Sequence, residues 1–127
     1  MKVLIVDDHK ALRRAVAMQL RMEPDIELVG EAENGEAAIA SARSLQPDVI
    51  VMDVQMPIMD GVKATRIIHQ EFPGMSIIAF TMFQSQDQSA AMHEAGAMRY
   101  MEKGGRADAL LKAIRECVMA KREAVAA

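Results

Sequence analysis

The stretch Val49-Ile50-Val51-Met52-Asp53-Val54-Gln55-Met56-Pro57-Ile58-Met59-Asp60-Gly61 decides the fold, because an apolar run stops there at a carboxylate. Val49 to Met52 shows no polar alternation, the pattern of a strand covered on both faces. Pro57 lacks an amide donor and Gly61 favours a turn, so the strand cannot continue. Asp53 is thereby placed at the carboxyl end of a buried strand, and in open parallel α/β sheets ligands bind outside those ends. A second such end lies near the N-terminus, where Val3-Leu4-Ile5-Val6 runs into Asp7-Asp8. If the two strands are neighbours, Asp7, Asp8 and Asp53 converge on one pocket. Two unit charges about 4 Å apart repel by roughly 4 kcal/mol at an effective dielectric of 20, so the cluster needs a proton or a cation. A hard, oxygen-preferring divalent ion such as Mg²⁺ meets that need.

Outward from these two strands, helical and extended segments alternate. After the first strand, Lys2 to Val6, apolar residues at Leu12, Val16 and Leu20, with Ala15 beside them, have helical spacing between about His9 and Met22. Glu23-Pro24-Asp25 interrupts, and Ile26 to Gly30 alternates loosely as a strand. Asn34 is the N-cap expected for a helix from Glu36 to about Leu45, whose stripe is Ala38, Ile39, Ala42 and Leu45. Gln46-Pro47-Asp48 ends it ahead of Val49.

Beyond Gly61, Val62 to about Phe72 reads as a third helix ended by Pro73-Gly74, and Ser76 to Phe80 as a strand stopping at Thr81. A polar stretch from Gln84 leads into a helix running to about Ala95, with Gly96 as its stop; it has few large apolar residues and is expected to be weakly anchored. Met98 to Glu102 is a short strand ending at Lys103. After Gly104-Gly105 a last helix, starting near Arg106, carries Leu110, Ile114, Cys117 and Val118 on one face. Alternation of this kind predicts a parallel sheet with right-handed crossovers and helices on both faces. The expected domain spans 1–121, and Arg122 to Ala127, without core signal, reads as a frayed helix end or the start of a linker.

A chain of 127 residues is one domain, long enough to fold without staples. Its single cysteine, Cys117, cannot form an internal disulfide, and no charged-then-apolar leader precedes the first strand, so the chain is read as cytoplasmic. No apolar run nears the roughly 20 residues that span a bilayer. A net charge of -3 and a pI near 5.6 argue against a nucleic-acid-binding surface on this domain. The 12 methionines invite a copper reading, but Met52, Met56 and Met59 have no cysteine or paired histidine beside them, and adaptable core filling accounts for them.

Collected by position, all the predicted strand ends but the second carry a polar group: Asp7-Asp8, Asp53, Thr81 and Lys103. Together they suit phosphoryl transfer, with a carboxylate nucleophile, acids to hold a metal, a hydroxyl, and a lysine to neutralise the transferred group. These motifs, in order and at matching spacing with the Asp53-to-Gly61 signature and Tyr100, resemble those of bacterial two-component response-regulator receiver domains over essentially the whole chain. The likeness is strongest to receivers attached to helix-turn-helix regulators or at the C-terminal end of hybrid sensor kinases.

The resemblance implies a flavodoxin-like (βα)5 three-layer sandwich with strand order 2-1-3-4-5. It implies phosphorylation of Asp53 by a histidine kinase or phosphotransfer domain, with Mg²⁺ or Mn²⁺ held by Asp8, Asp53 and the backbone carbonyl of Gln55, and Asp7 assisting. Thr81 and Lys103 would serve the chemistry, and Thr81 and Tyr100 would relay it to a homodimer face formed by helix 4, strand 5 and helix 5. Such a domain catalyses its own phosphorylation and dephosphorylation without being a stand-alone enzyme. Kinase activity would follow only if it were cut from a hybrid kinase. Gln55 and Phe83 would flank the path of the hydrolytic water. Gly104, where many members have proline, leaves the isomer of the Lys103–Gly104 peptide open.

Competing readings fit less well. Aspartate-based phosphatases carry a second acid two residues after the nucleophile, and here Gln55 stands there. A flavin module needs a phosphate-cradling loop after strand one, where Asp7-Asp8 would repel phosphate. A receiver-like interaction module would not need Asp53, Thr81 and Lys103 together. His9 is read as a solvent-facing first-turn residue, with contact to the metal as the alternative.

Overall fold

The computed structural model describes residues 1–82, 85–104 and 107–126. Its elements alternate as β1 (Lys2–Val6), α1 (Lys10–Arg21), β2 (Glu27–Ala32), α2 (Gly35–Leu45), β3 (Val49–Met52), α3 (Gly61–Glu71), β4 (Ser76–Thr81), α4 (Gln86–Ala95), β5 (Arg99–Glu102) and α5 (Ala107–Ala126). The strands form one parallel sheet in the order β2-β1-β3-β4-β5. This is the flavodoxin-like arrangement, and its order reverses beside β1 and β3, so the acids ending those strands stand at the switch point.

Side-chain alternation along the strands divides the core. Val3, Ile5, Val49, Val51 and Ile78 pack with Ala17 and Leu20 of α1 and with Leu110, Ala113, Ile114 and Cys117 of α5. Leu4, Val6, Ile50, Met52, Ile77 and Ala79 point the other way, onto Ala38, Ile39 and Ala42 of α2, Ala64 and Ile68 of α3 and Met92 of α4. Every residue of β3 is buried, as its unbroken apolar run requires. Helix starts follow their capping chemistry: Asn34, Asp60 and Ser85 accept hydrogen bonds from Ala37, Lys63 and Gln88 backbone N–H groups.

Two details depart from the sequence pattern. β2 runs to Ala32, two residues past Gly30, because its pairing with β1 shifts register between Val3 and Leu4 and then continues to Val6. In α1, Leu20 is buried and Val16 packs against the core as expected, but Leu12 is 36% exposed and Ala15 is exposed. Arg13 takes the inward position near the helix start, since its guanidinium donates to the Asp7 carbonyl at 2.7 Å and the Glu31 carboxylate at 3.0 Å. The final helix runs through Ala126, with Arg122 and Glu123 exposed. As expected, α4 is lightly anchored: its buried residues are Met92 and Ala95.

Candidate functional site

Backbone pairing fixes the positions of the acids. The Asp7 N–H donates to the Ala32 carbonyl at 3.0 Å and the Asp53 N–H to the Val6 carbonyl at 2.9 Å, which holds both residues against neighbouring strand ends. Beyond Asp53 the chain turns back so tightly that a Cβ at Gly61 would collide with the Asp53 carbonyl. The Gly61 N–H closes this turn on the Val54 carbonyl at 2.8 Å. Within it Ile58 has φ 69, and Met59 N–H donates to the Pro57 carbonyl at 2.7 Å, a tight turn that strains a β-branched residue.

Lys103 enters from the opposite side, its N–H on the Thr81 carbonyl at 2.6 Å. The Lys103 Nζ lies 2.7 Å from Asp7 Oδ2 and 3.2 Å from Asp53 Oδ2. All three side chains are buried, whereas Asp8 is partly exposed. Asp53, Gln55, Thr81 and Lys103 line one cleft of about 290 Å³ together with His9, Met82, Ser85 and Gln88. One ligand atom each from Asp7, Asp8, His9 and Asp53 can be chosen so that all lie within 4.8 Å of one another. Among the described residues the buried Asp8 Oδ1 makes no hydrogen bond, although His9 Nδ1 lies 3.3 Å away, and an unsatisfied acceptor of this kind is one that a cation satisfies. The donor set, hard carboxylate oxygens at a strand-end cleft, fits Mg²⁺ or Mn²⁺.

A family model for the response regulator receiver domain matches residues 3–115. The chain belongs to that family. Among curated relatives, the transcriptional regulatory protein LiaR of Bacillus subtilis is 41% identical over 114 residues, covering 90% of this chain and 54% of LiaR. Response regulator protein VraR of Staphylococcus aureus is 38% identical over 115 residues, 91% of this chain and 55% of VraR. The receiver thus spans about half the length of the curated relatives it matches. A LuxR-family two-component response regulator from Aurantimonas sp. SI85-9A1 superposes with a TM-score of 0.89 at 31% identity, covering 94% of this chain and 85% of that one. A CheY-like receiver from Methanospirillum hungatei JF-1 gives a TM-score of 0.88 at 26% identity, over 96% of both chains. Receiver domains of response regulators interact with histidine kinases and DNA-binding output domains, and generally bind Mg²⁺ at an acidic pocket.

In this receiver the structure brings Asp7, Asp8, Asp53, Thr81 and Lys103 to one end of the sheet, with Gln55 on the cleft wall. Tyr100 lies to one side on β5, half-buried, its hydroxyl accepting from the Ser85 N–H at 3.4 Å and donating to Gln88 Oε1 at 3.3 Å. Ser85 and Gln88 were not singled out in the sequence, yet they touch both the cleft and Tyr100; only a paired reading of the α4 cap and β5 would have found them. Phe83, the proposed shield against water, lies outside the described residues, as do Gln84, Gly105, Arg106 and Ala127. The Lys103–Gly104 peptide is trans, and Gly104 takes φ 86, which glycine adopts without steric penalty.

Burial pushes the Asp53 carboxyl up to about 7, from an ordinary value of 3.8; the nearby Lys103 charge opposes this, while Asp7 and Asp8 add to it. A carboxyl whose value is raised on folding contributes stability that is complete below its unfolded value and lost as pH rises through its folded one. In chelator, this receiver is therefore expected to lose several degrees of Tm between pH 5.5 and 8, the response of a small domain to roughly 1–2 kcal/mol. Saturating Mg²⁺ should recover them at pH 8. A metal-free melting profile that rises over this window would contradict the assignment.

Proposed function

We propose that this receiver accepts a phosphoryl group on Asp53 from a phosphohistidine of a histidine kinase or phosphotransfer domain. The observation that carries this reading is the pairing of buried Asp53 with the Lys103 ammonium at 3.2 Å inside an open cleft. An Asp53 carboxylate oxygen attacks phosphorus as the N–P bond breaks, and the electron pair stays on the donor imidazole. Lys103 faces the charge that accumulates on the transferred group, which adds about -1.5 to -2 at neutral pH. Asp8, Asp53 and the Gln55 carbonyl, with Asp7 assisting, would hold Mg²⁺, which would supply neutralisation of the negative charge gathered at the site. The same groups position water for hydrolysis of the acyl phosphate, so phosphorylation and its reversal are the domain's own chemistry.

The output face in this reading is α4, β5 and α5. An open groove of about 630 Å³ lies there, lined by Ser85, Gln86, Ser89, His93, Met98, Arg99 and Tyr100. Thr81 shifts toward a phosphoryl oxygen, Tyr100 turns, and α4, held by two buried residues, moves to form a homodimer contact. Residues 122–127 are read as the tail of the domain or the start of a linker. The reading keeps the domain in the cytoplasm and off nucleic acid and membrane; among the described residues no helix is long and apolar enough to cross a membrane.

Incubation with acetyl phosphate and Mg²⁺ should add one phosphoryl mass that is lost in both acid and base. With beryllofluoride, amide exchange in residues 85–103 is expected to change roughly tenfold, equivalent to about 1.4 kcal/mol. Changes confined to α1 would place the output on the opposite side of the sheet.

A further inference from the structure

His9 stands where the acid pocket opens to solvent. It is the N-cap of α1, with extended backbone (φ -85, ψ 99), yet its imidazole makes no capping bond. Its N–H instead donates to Asp7 Oδ1 at 2.9 Å, which fixes the residue against the pocket. The imidazole Nδ1 lies 3.4 Å from Asp7 Oδ1 and 3.3 Å from Asp8 Oδ1, and the side chain is 60% exposed. Two adjacent ligands at about 2.1 Å from an octahedral ion are roughly 3.0 Å apart, and two opposite ones roughly 4.2 Å. The His9 contacts match adjacent positions to within a few tenths of an ångström. The widest separation in the cluster, up to 4.8 Å, closes with a contraction of roughly 0.6 Å. The nitrogen is offered from the solvent side, where an all-oxygen Mg²⁺ site would keep water.

We propose that His9 contributes an imidazole nitrogen to the ion in the acid pocket, so that the site favours Mn²⁺, Co²⁺, Ni²⁺ or Zn²⁺ over Mg²⁺. This rests on the reading of the pocket as an ion site and adds a ligand to it. Carboxylates and carbonyls suit Mg²⁺, whereas neutral imidazole strengthens binding along the first transition row. A contrasting role for the same contacts is an ion pair between a protonated His9 and the two acids, and the two roles have opposite consequences. An ion-pairing cation repels every metal alike, and its removal tightens them all. A ligand holds the softer ions selectively, and its removal weakens those alone.

The test compares wild type with His9→Ala at one fixed pH near 8, titrating Co²⁺ and Mg²⁺ separately and following the bound Mn²⁺ by electron spin-echo modulation. The expected result is ¹⁴N coupling on Mn²⁺ in wild type that disappears in the variant. Co²⁺ affinity should fall tenfold or more while Mg²⁺ affinity stays within about twofold. An Mn²⁺ complex without nitrogen coupling, or equal changes for Co²⁺ and Mg²⁺, overturns the proposal while leaving the acid pocket intact as an ion site. Failure of either ion to bind wild type, with Asp8→Ala no different, overturns the pocket reading itself. Circular dichroism of His9→Ala should match wild type, since the exposed side chain gives no reason for the fold to change.

Discussion

Asp53→Asn is expected to gain no phosphoryl mass from acetyl phosphate under conditions that phosphorylate the wild type. Asparagine has nearly the same shape as aspartate, so the cleft with Thr81, Gln88 and Lys103 keeps its walls. What changes is the proposed nucleophile: a neutral amide oxygen does not attack phosphorus at a useful rate, and no other group is expected to take its place. Asp7 already has Lys103 at 2.7 Å and the His9 N–H at 2.9 Å on its oxygens, and Asp8 is turned to the more open side. Unfolding is not a competing account of the loss. The variant removes a buried carboxyl whose proton affinity is raised by its surroundings, so in chelator at pH 8 it should melt several degrees above the wild type. Omitting Mg²⁺ from the wild-type reaction should slow it by about 10²-fold, comparable to losing one preorganised charge-stabilising group. A variant that is phosphorylated at the wild-type rate would move the acceptor to Asp7, Asp8 or His9, and peptide mapping of the adduct would say which.

The strand ends were legible because the signal is carried by the main chain. Val49 to Met52 could be read as a doubly covered strand, and Pro57 and Gly61 as its stop, without knowing any tertiary contact. Asp53 then had to stand at the sheet's carboxyl end, and Asp7 beside it followed from one assumption of adjacency, which the β1–β3 pairing meets. Contacts made through side-chain reach were not legible in the same way. Leu12 belongs to the apolar stripe that the spacing predicts, and nothing in that spacing marks Arg13 beside it. Their roles exchange because a guanidinium can satisfy the Asp7 carbonyl and Glu31 at once, and leucine can satisfy neither. The link from Tyr100 to Ser85 and Gln88 joins residues 12 or 15 apart on different elements, and no periodicity reports such a meeting. His9 was assigned to solvent, and its side chain is indeed exposed; its nearness to both acids depends on backbone angles at the helix entrance that one histidine in a sequence does not reveal.

Replacing Lys103 by methionine should expose how the pocket is held together. The ammonium pairs with the Asp7 and Asp53 carboxylates at 2.7 and 3.2 Å, and its side chain is 4% exposed against 7% and 6% for theirs. Methionine fills a similar volume but leaves two buried carboxyls facing each other. Removing one partner from a buried charge pair costs roughly 3–5 kcal/mol, because the remaining charge keeps its desolvation penalty and loses its compensation. The cost should depend on pH, and its sign can be worked out from Asp53. Lys103 opposes the upward shift of that carboxyl, so without the lysine the Asp53 carboxyl moves further up. Below that value a proton neutralises the site and the variant is only mildly destabilised; above it the charges repel and the full penalty applies. Urea unfolding in chelator is therefore expected to show a loss of about 3–5 kcal/mol at pH 8 and distinctly less at pH 5.5. Saturating Mg²⁺ should recover part of the loss at pH 8, since a divalent ion supplies the missing positive charge without supplying the lysine's shape. A loss of equal size at both pH values and unaffected by Mg²⁺ would mean that Lys103 acts through packing of its carbon chain, with the ammonium incidental to the stability of the acid pocket.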